Sequence, residues 1–356
     1  MRQYQKPLVA KSVFSLALSA MMIATSCGTS TEKSTGQIFL YGEAHGNERI
    51  MDRQLEIWRE HYHNQGMRHL FIEFTFPTAE FLNMWMQSDN DDILYELFDD
   101  WAGTSVDIPH TLVFFRTIKS EFPETIFHGV NVAHWEFPAG MRLLQYLEDN
   151  NMQSTERYFL TLKSLEQGEQ NLQGGFDRRH RVNAMTENFI REFDRLGGQS
   201  VMGIFGAAHT RFGFAQGLPG VPTMAQRLRK RYGRRSVHTE DLTSVALLID
   251  PIRTDIVSIN GVNYEASYFG TDLTAFRDIV SRSFWRIEDA YDDFRRKPMT
   301  HDRNILPYDN YPMMVRPRQV FIVDAAYTDG STRRAFYRSD RGFWRLMSWT
   351  VEFIVD

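Results

Sequence analysis

A chain of 356 residues, 42% hydrophobic and 24% charged, has the balance of a globular protein and enough length to bury one large core or two small ones. A net charge of −5 excludes any general electrostatic pull toward nucleic acid. With one cysteine, Cys27, an internal disulfide is excluded as well.

The first 26 residues read as a signal peptide. Arg2, Lys6 and Lys11 form a basic region, residues 13–24 are apolar, and Ala24-Thr25-Ser26-Cys27 ends a run of small residues in the lone cysteine. The apolar run is too short and too close to the N-terminus for an ordinary spanning helix. The pattern predicts a lipoprotein signal with Cys27 as the lipidated first residue of the mature chain; a plain secretory signal with an incidental cysteine is the alternative. Removal of the leader takes three basic residues from the net charge of −5 and leaves −8. Lipidation would leave no thiol for catalysis. No later segment is long and apolar enough to cross a bilayer. The expectation is therefore an extracytoplasmic protein, held to the cell membrane or outer membrane by lipid alone. Its expected partners are that membrane and a small-molecule or peptide substrate, with no nucleic acid.

Residues 27–36, rich in Gly, Ser and Thr, predict a flexible tether. Residues 38–41 form an apolar strand that ends at Gly42. Met51, Leu55, Trp58 and Tyr62 then share one helical face. A second strand over 70–72 ends at Glu73. Helical sequence follows over about 78–118, with a loop near 103–109, and a third strand falls within 125–132. The next helical stretch is interrupted at Gly174-Gly175, and its last part puts Val182, Met185, Phe189, Phe193 and Leu196 on one face. A fourth strand over 201–205 ends at Gly206. Strands separated by helices predict an α/β fold with a mainly parallel central sheet flanked by helices. Beyond about residue 240 the texture changes. Asn260-Gly261 and Asp329-Gly330 are hairpin signals, with a helix expected over 285–296. The predicted organisation is thus an α/β core over 37–240 and an α+β extension over 241–356.

The chemistry-bearing residues follow the strands. The first strand runs into Gly42-Glu43-Ala44-His45-Gly46, the second into Glu73, the third into Asn131 and His134, and the fourth into Gly206-Ala207-Ala208-His209. In an open parallel sheet these positions share the carboxyl edge, where ligands bind. A Gly-x-x-His pattern alone is weak, and a third copy, Gly66 to His69, precedes a strand and reads as a turn. Placement singles out His45, Glu73 and His209, with Glu43 beside them. Arg178 and Arg181 continue the buried helix face that begins at Val182, toward the same edge, where a guanidinium can bind an anion or a polarised carbonyl. Satisfied buried polar groups, or an arginine salt bridge to Glu43 or Glu73, are the structural alternatives. His61 and His63 read as surface residues, residues 227–235 as the polar face of a helix, and Met84, Trp85 and Met86 as core or cleft wall.

Together these motifs resemble the superfamily that holds erythromycin-esterase-like proteins, ChaN-like haem-uptake lipoproteins and Tiki/TraB-type proteins. The resemblance spans about residues 37–240. It rests on Gly42-Glu43-Ala44-His45, Glu73 and Gly206-Ala207-Ala208-His209, with Arg181 to Met185 matching an Arg-x-x-x-Met element. Leu82-Asn83, Trp101 and Arg116 are similar to the esterase-like branch, although that branch has one more residue between Glu43 and the histidine. The resemblance implies a hydrolase-like site of His45, Glu73 and His209 with Arg181 beside them. In the esterase branch a histidine is the base on water, in Tiki proteins the paired Gly-x-x-His motifs serve a divalent metal, and ChaN-like members are linked to haem.

The expected function is hydrolysis of an ester, lactone or peptide bond. His45 or His209 would activate water, Glu73 would orient a histidine or hold a metal, and Arg181 would bind the developing oxyanion. His45, Glu73 and His209 are also candidate ligands for manganese, cobalt or zinc, the metal-free alternative being one histidine as base with Glu73 fixing its tautomer. A carrier of haem or another small molecule without turnover is the second reading, and a structural surface lipoprotein the third.

Overall fold

The computed structural model describes residues 36–133, 137–248, 250–272, 278–300, 312–344 and 347–355. The signal peptide, Cys27, the tether to residue 35, and His134 lie outside the described residues.

Short apolar runs too brief for a helix become strands, and the amphipathic segments between them cover both faces. In chain order these are β1 (Ile38–Glu43), α1 (Glu48–Gln65), β2 (His69–Ile72), α2 (Phe76–Met86), α3 (Asp92–Asp100), α4 (Pro109–Glu121), β3 (Ile126–Gly129), α5 (Phe137–Asp149), α6 (Glu156–Gln173), α7 (Arg178–Arg195), β4 (Val201–Gly206), α8 (Ala207–Thr210), α9 (Met224–Tyr232) and β5 (Val237–Asp241). The sheet order is β3-β2-β4-β1-β5, with every pairing parallel. β4 is inserted between β1 and β2, so Glu43 pairs with Gly206 and Ile72 with Ile204. That order brings the ends of three strands side by side.

Alternation along the strands divides the core. Leu70, Ile72, Met202 and Ile204 face a cluster with Trp58, Leu82, Trp85 and Phe115 from α1, α2 and α4. Ile38, Leu40, Phe71, Val201 and Phe205 face Met185, Phe189, Met224 and Leu228 from α7 and α9. The expected helical face of Met51, Leu55, Trp58 and Tyr62 is buried in α1, whose N-cap Asn47 accepts from the Ile50 N–H and whose end is turned by Gly66 at φ 67. The stretch expected to be helical over 78–118 resolves into three helices. β5 lies in a region given no strand from the sequence. It is an edge strand with one buried residue, Val237, and it straddles the boundary drawn at 240/241.

A second sheet follows. β6 (Arg253–Ile259), β7 (Val262–Asp272), β8 (Ile279–Ile287), β9 (Val320–Tyr327), β10 (Thr332–Trp344) and β11 (Met347–Phe353) form an antiparallel meander in chain order. Asn260-Gly261 turns β6 into β7 with φ 52 and 78, and Gly330 turns β9 into β10 with φ 81. The helix expected over 285–296 is corrected: Trp285 and Ile287 extend β8, opposite Ile322 and Val320, and only α10 (Tyr291–Phe294) is helical. Pairing with β9 as far as Ile287 decides the conformation there. Among the described residues no helix is long and apolar enough to cross a membrane.

Candidate active site

Two glycines bring the strand ends together. A Cβ on Gly42 would lie 2.4 Å from Thr210 Oγ1, and one on Gly206 would lie 3.0 Å from His45 Nε2. Only glycine permits that approach. His45 leaves β1 in the short loop before Asn47, and Gly46, at φ 70, turns the chain into α1.

Glu43 holds His45. Its Oε1 lies 2.7 Å from His45 Nδ1, and its Oε2 accepts from Gln54 Nε2 at 2.5 Å. No sequence motif points to Gln54. Its signal was a polar side chain on the apolar face of α1, where it is 1% exposed. The His45 Nε2 lies 3.9 Å from Glu73 Oε2.

Glu73 is the hub of the other half. Its Oε1 accepts from Arg181 Nη2 at 2.6 Å, and its Oε2 accepts from the Gly206 N–H at 2.6 Å. His209 Nε2 lies 3.4 Å from Oε1 and 3.5 Å from Arg181 Nη1. Asn131, after β3, accepts from Arg181 Nε at 3.0 Å and donates to the Glu73 carbonyl at 3.2 Å. The arginine is thus clamped from two sides, with Nη1 the nitrogen turned toward His209.

The electrostatics separate the two acids and bases. Burial alone would raise the Glu73 pKa, but His209, His45 and Arg181 around it hold it well below the usual carboxylate range. Burial alone would lower that of His45. The carboxylates of Glu73 and Glu43 outweigh it and lift the pKa to about 9, so His45 rests as an imidazolium at neutral pH.

All five residues singled out in the sequence, His45, Glu73, His209, Glu43 and Arg181, meet at one edge of the sheet. Their pairing differs from the expected one: Glu43 rather than Glu73 fixes the His45 tautomer, and Glu73 is taken by Arg181 and a backbone N–H. The donor set in this arrangement does not fit a divalent ion. Both Glu73 oxygens have partners, the histidines approach different oxygens, and a guanidinium already supplies positive charge between Glu73 and His209. Among the described residues no group of three His, Cys, Asp or Glu is arranged to hold a metal.

Other singled-out residues have different partners. His61 is buried rather than on the surface, 2.9 Å from Tyr41 Oη and 3.0 Å from Gln65 Oε1. Asn83 exchanges two hydrogen bonds with the Phe127 backbone, Trp101 is buried against Phe74, and Arg116 pairs with Asp91. Trp85 and Met86 belong to the core.

No family model matches the chain, and no curated protein does. Solved structures are similar at low levels. An erythromycin esterase mutant, EreC in its open conformation, aligns at TM-score 0.43 and 11% identity over 58% of this chain and 69% of its own. A succinoglycan biosynthesis protein aligns at 0.41 and 11%, over 57% and 65%, and a Bacillus cereus protein at 0.41 and 13%, over 90% and 86%. Similarity this distant assigns neither family nor activity, so the functional conclusion rests on the geometry of the edge.

Proposed function

We propose that the chain is an extracytoplasmic, lipid-anchored hydrolase of an ester, lactone or peptide bond, working by acid–base chemistry without a metal. The observation that carries this is the convergence of His45, Glu73, His209 and Arg181 at the carboxyl edge, with Glu43 2.7 Å from His45 Nδ1. Buried titratable groups pushed apart in pKa at such an edge are the mark of acid–base assignments. The Arg181 Nη1 donates to the carbonyl oxygen as it gains charge. Water adds to the carbonyl carbon while His209 takes its proton. When the bond to the leaving oxygen or nitrogen breaks, His45 Nε2–H protonates it, and solvent returns the proton from His209 to His45. Glu43 keeps the His45 tautomer, and Glu73 keeps Arg181 in place.

The test is turnover of a panel of chromogenic esters, lactones and peptides by the purified protein. Removal of His45 or His209 by alanine substitution lowers kcat by roughly 10²–10⁴-fold on whichever substrate is cleaved, the usual worth of a positioned acid or base, and a chelator changes nothing. A wild type no faster than the His45→Ala, His209→Ala double variant on every substrate overturns the reading. Activity lost to chelator and restored by manganese, cobalt or zinc overturns its metal-free form. Hemin titration produces no stoichiometric Soret band, and tight, saturable binding lost on His209→Ala would favour a ligand carrier instead.

A further inference from the structure

Beside His209 and Arg181, on the side of α7 and the loop that follows α8, lies a cavity of about 130 Å³. We propose that it is an acyl subsite for a short chain ending in a carboxylate, so that the preferred substrate is a hemiester of a small dicarboxylic acid. This rests on the hydrolase reading above and names its substrate class.

Three observations lead there. The first is charge. Arg178 and Arg181 both line the cavity, and no acidic residue does. Arg181 is neutralised by Glu73. Arg178 donates from Nη2 only to an uncharged acceptor, the Gln216 carbonyl, at 2.7 Å, and no carboxylate pairs with it among the described residues. A guanidinium so placed has donors left for a planar anion.

The second is wall chemistry and size. Val182 and Ala215 belong to a small apolar cluster of their own, with Leu218 packed on it, and all three line the cavity. Such walls suit methylenes. The space beside those walls admits a few methylenes and a carboxylate.

The third is preorganisation. The loop is closed on itself by Ala215 N–H to Val221 O at 2.7 Å, Val221 N–H to Leu218 O at 3.1 Å and Thr223 N–H to Gly213 O at 3.0 Å. A Cβ on Gly217, at φ 70, would lie 3.1 Å from Arg178 Nη1, so the arginine packs against that turn. A subsite already formed pays little ordering cost on binding.

The experiment compares chromogenic hemiesters of short dicarboxylic acids with neutral acyl esters of the same length. Arg178 is exposed, so solvent screens the pair, and the wild type should favour the hemiester in kcat/KM by roughly 2–5-fold, the worth of an exposed ion pair. Arg178→Gln should abolish that preference through KM, and Arg178→Lys should restore part of it, each variant keeping the wild-type thermal midpoint. Neutral esters cleaved as well as hemiesters, or a preference that survives Arg178→Gln, overturns the subsite while leaving the hydrolase reading standing. If no ester of either kind is cleaved, the hydrolase reading is what fails, and the subsite is then read by calorimetric titration with glutarate. Binding weakened roughly 2–5-fold by Arg178→Gln supports it, and equal or absent binding in both proteins overturns it.

Discussion

His45 sits between two carboxylates, and their pull exceeds the penalty of desolvating its charge. Its pKa of about 9, against roughly 6.5 in an unfolded chain, means that its charged form stabilises the fold fully below about pH 6.5. That contribution is lost as pH rises through 9. The same titration removes the proton donor proposed for the leaving group. The rate on a cleaved substrate should therefore fall above about pH 9. Glu43→Gln, which deletes the nearer carboxylate, should move that limb to lower pH by about one unit or more. A pH–rate profile of the two proteins decides it, and a limb in the same place in both would show that Glu43 does not set the proton affinity of His45. The five residues at this edge were legible because each follows an apolar strand or continues a buried helix face. The exchange of partners between Glu43 and Glu73 was not. It depends on which oxygen faces which nitrogen, and sequence spacing carries no such detail. Gln54 escaped for a related reason, since one polar residue on an apolar stripe looks like an interruption until its partner is known.

At the level of elements, β2, β3 and α7 enclose a second histidine cluster away from the cleft. His69 Nδ1 lies 2.9 Å from His128 Nε2, and His69 Nε2 lies 3.2 Å from Gln199 Oε1. His128 faces Glu192 at 3.7 Å, and Arg191 pairs with that carboxylate. Burial first, and His128 second, push the His69 pKa down to about 4. The folded state thus holds His69 neutral where the unfolded chain protonates it. Stability is undiminished above about pH 6.5 and declines as pH falls toward 4. The shift is worth up to about 3 kcal/mol at the acid end. Urea unfolding at pH 7, 5.5 and 4.5 should show the wild type losing more stability than His69→Gln over that range, whereas parallel declines would place the acid sensitivity elsewhere. Element recognition from sequence succeeded where packing follows the local pattern, as in α1, with its one buried face. It failed at β5, where an edge strand buries only Val237 and its pairing with β1 supplies the order. At Trp285 to Ile287 pairing with β9 overrides a sequence that reads as helical, and of the remainder only Tyr291–Phe294 is helical.

On the scale of the whole molecule, the described residues form two apolar cores, and a lipid anchor is proposed at Cys27. The proposal of an anchor rests on the sequence, where Cys27 closes a run of small residues after an apolar segment. A fatty-acid probe should label the wild type in cells and leave Cys27→Ala unlabelled, and equal labelling of both would remove the lipid from the proposal. The two cores are visible in the packing. Among the described residues, every apolar cluster draws its members either from residues up to Ala246 or from residues from Leu248 onward, and none mixes the two sets. The parallel sheet closes with β5 and the short 3₁₀ turn Thr243–Ala246. The meander begins at once, with Leu248 bridged to Met313. Cores that share no buried residues lack the coupling that makes unfolding all-or-none. Every described helix except α10 belongs to the first core, so far-UV ellipticity reports mainly on that half. Amide exchange in β8, β9 and β10 reports on the other. In a urea series the two signals should give midpoints that differ, and limited proteolysis between Ala246 and Arg253 should release the meander as a resistant fragment. Coincident midpoints without such a fragment would mean that the two sheets unfold as one unit, coupled by contacts outside the apolar clusters.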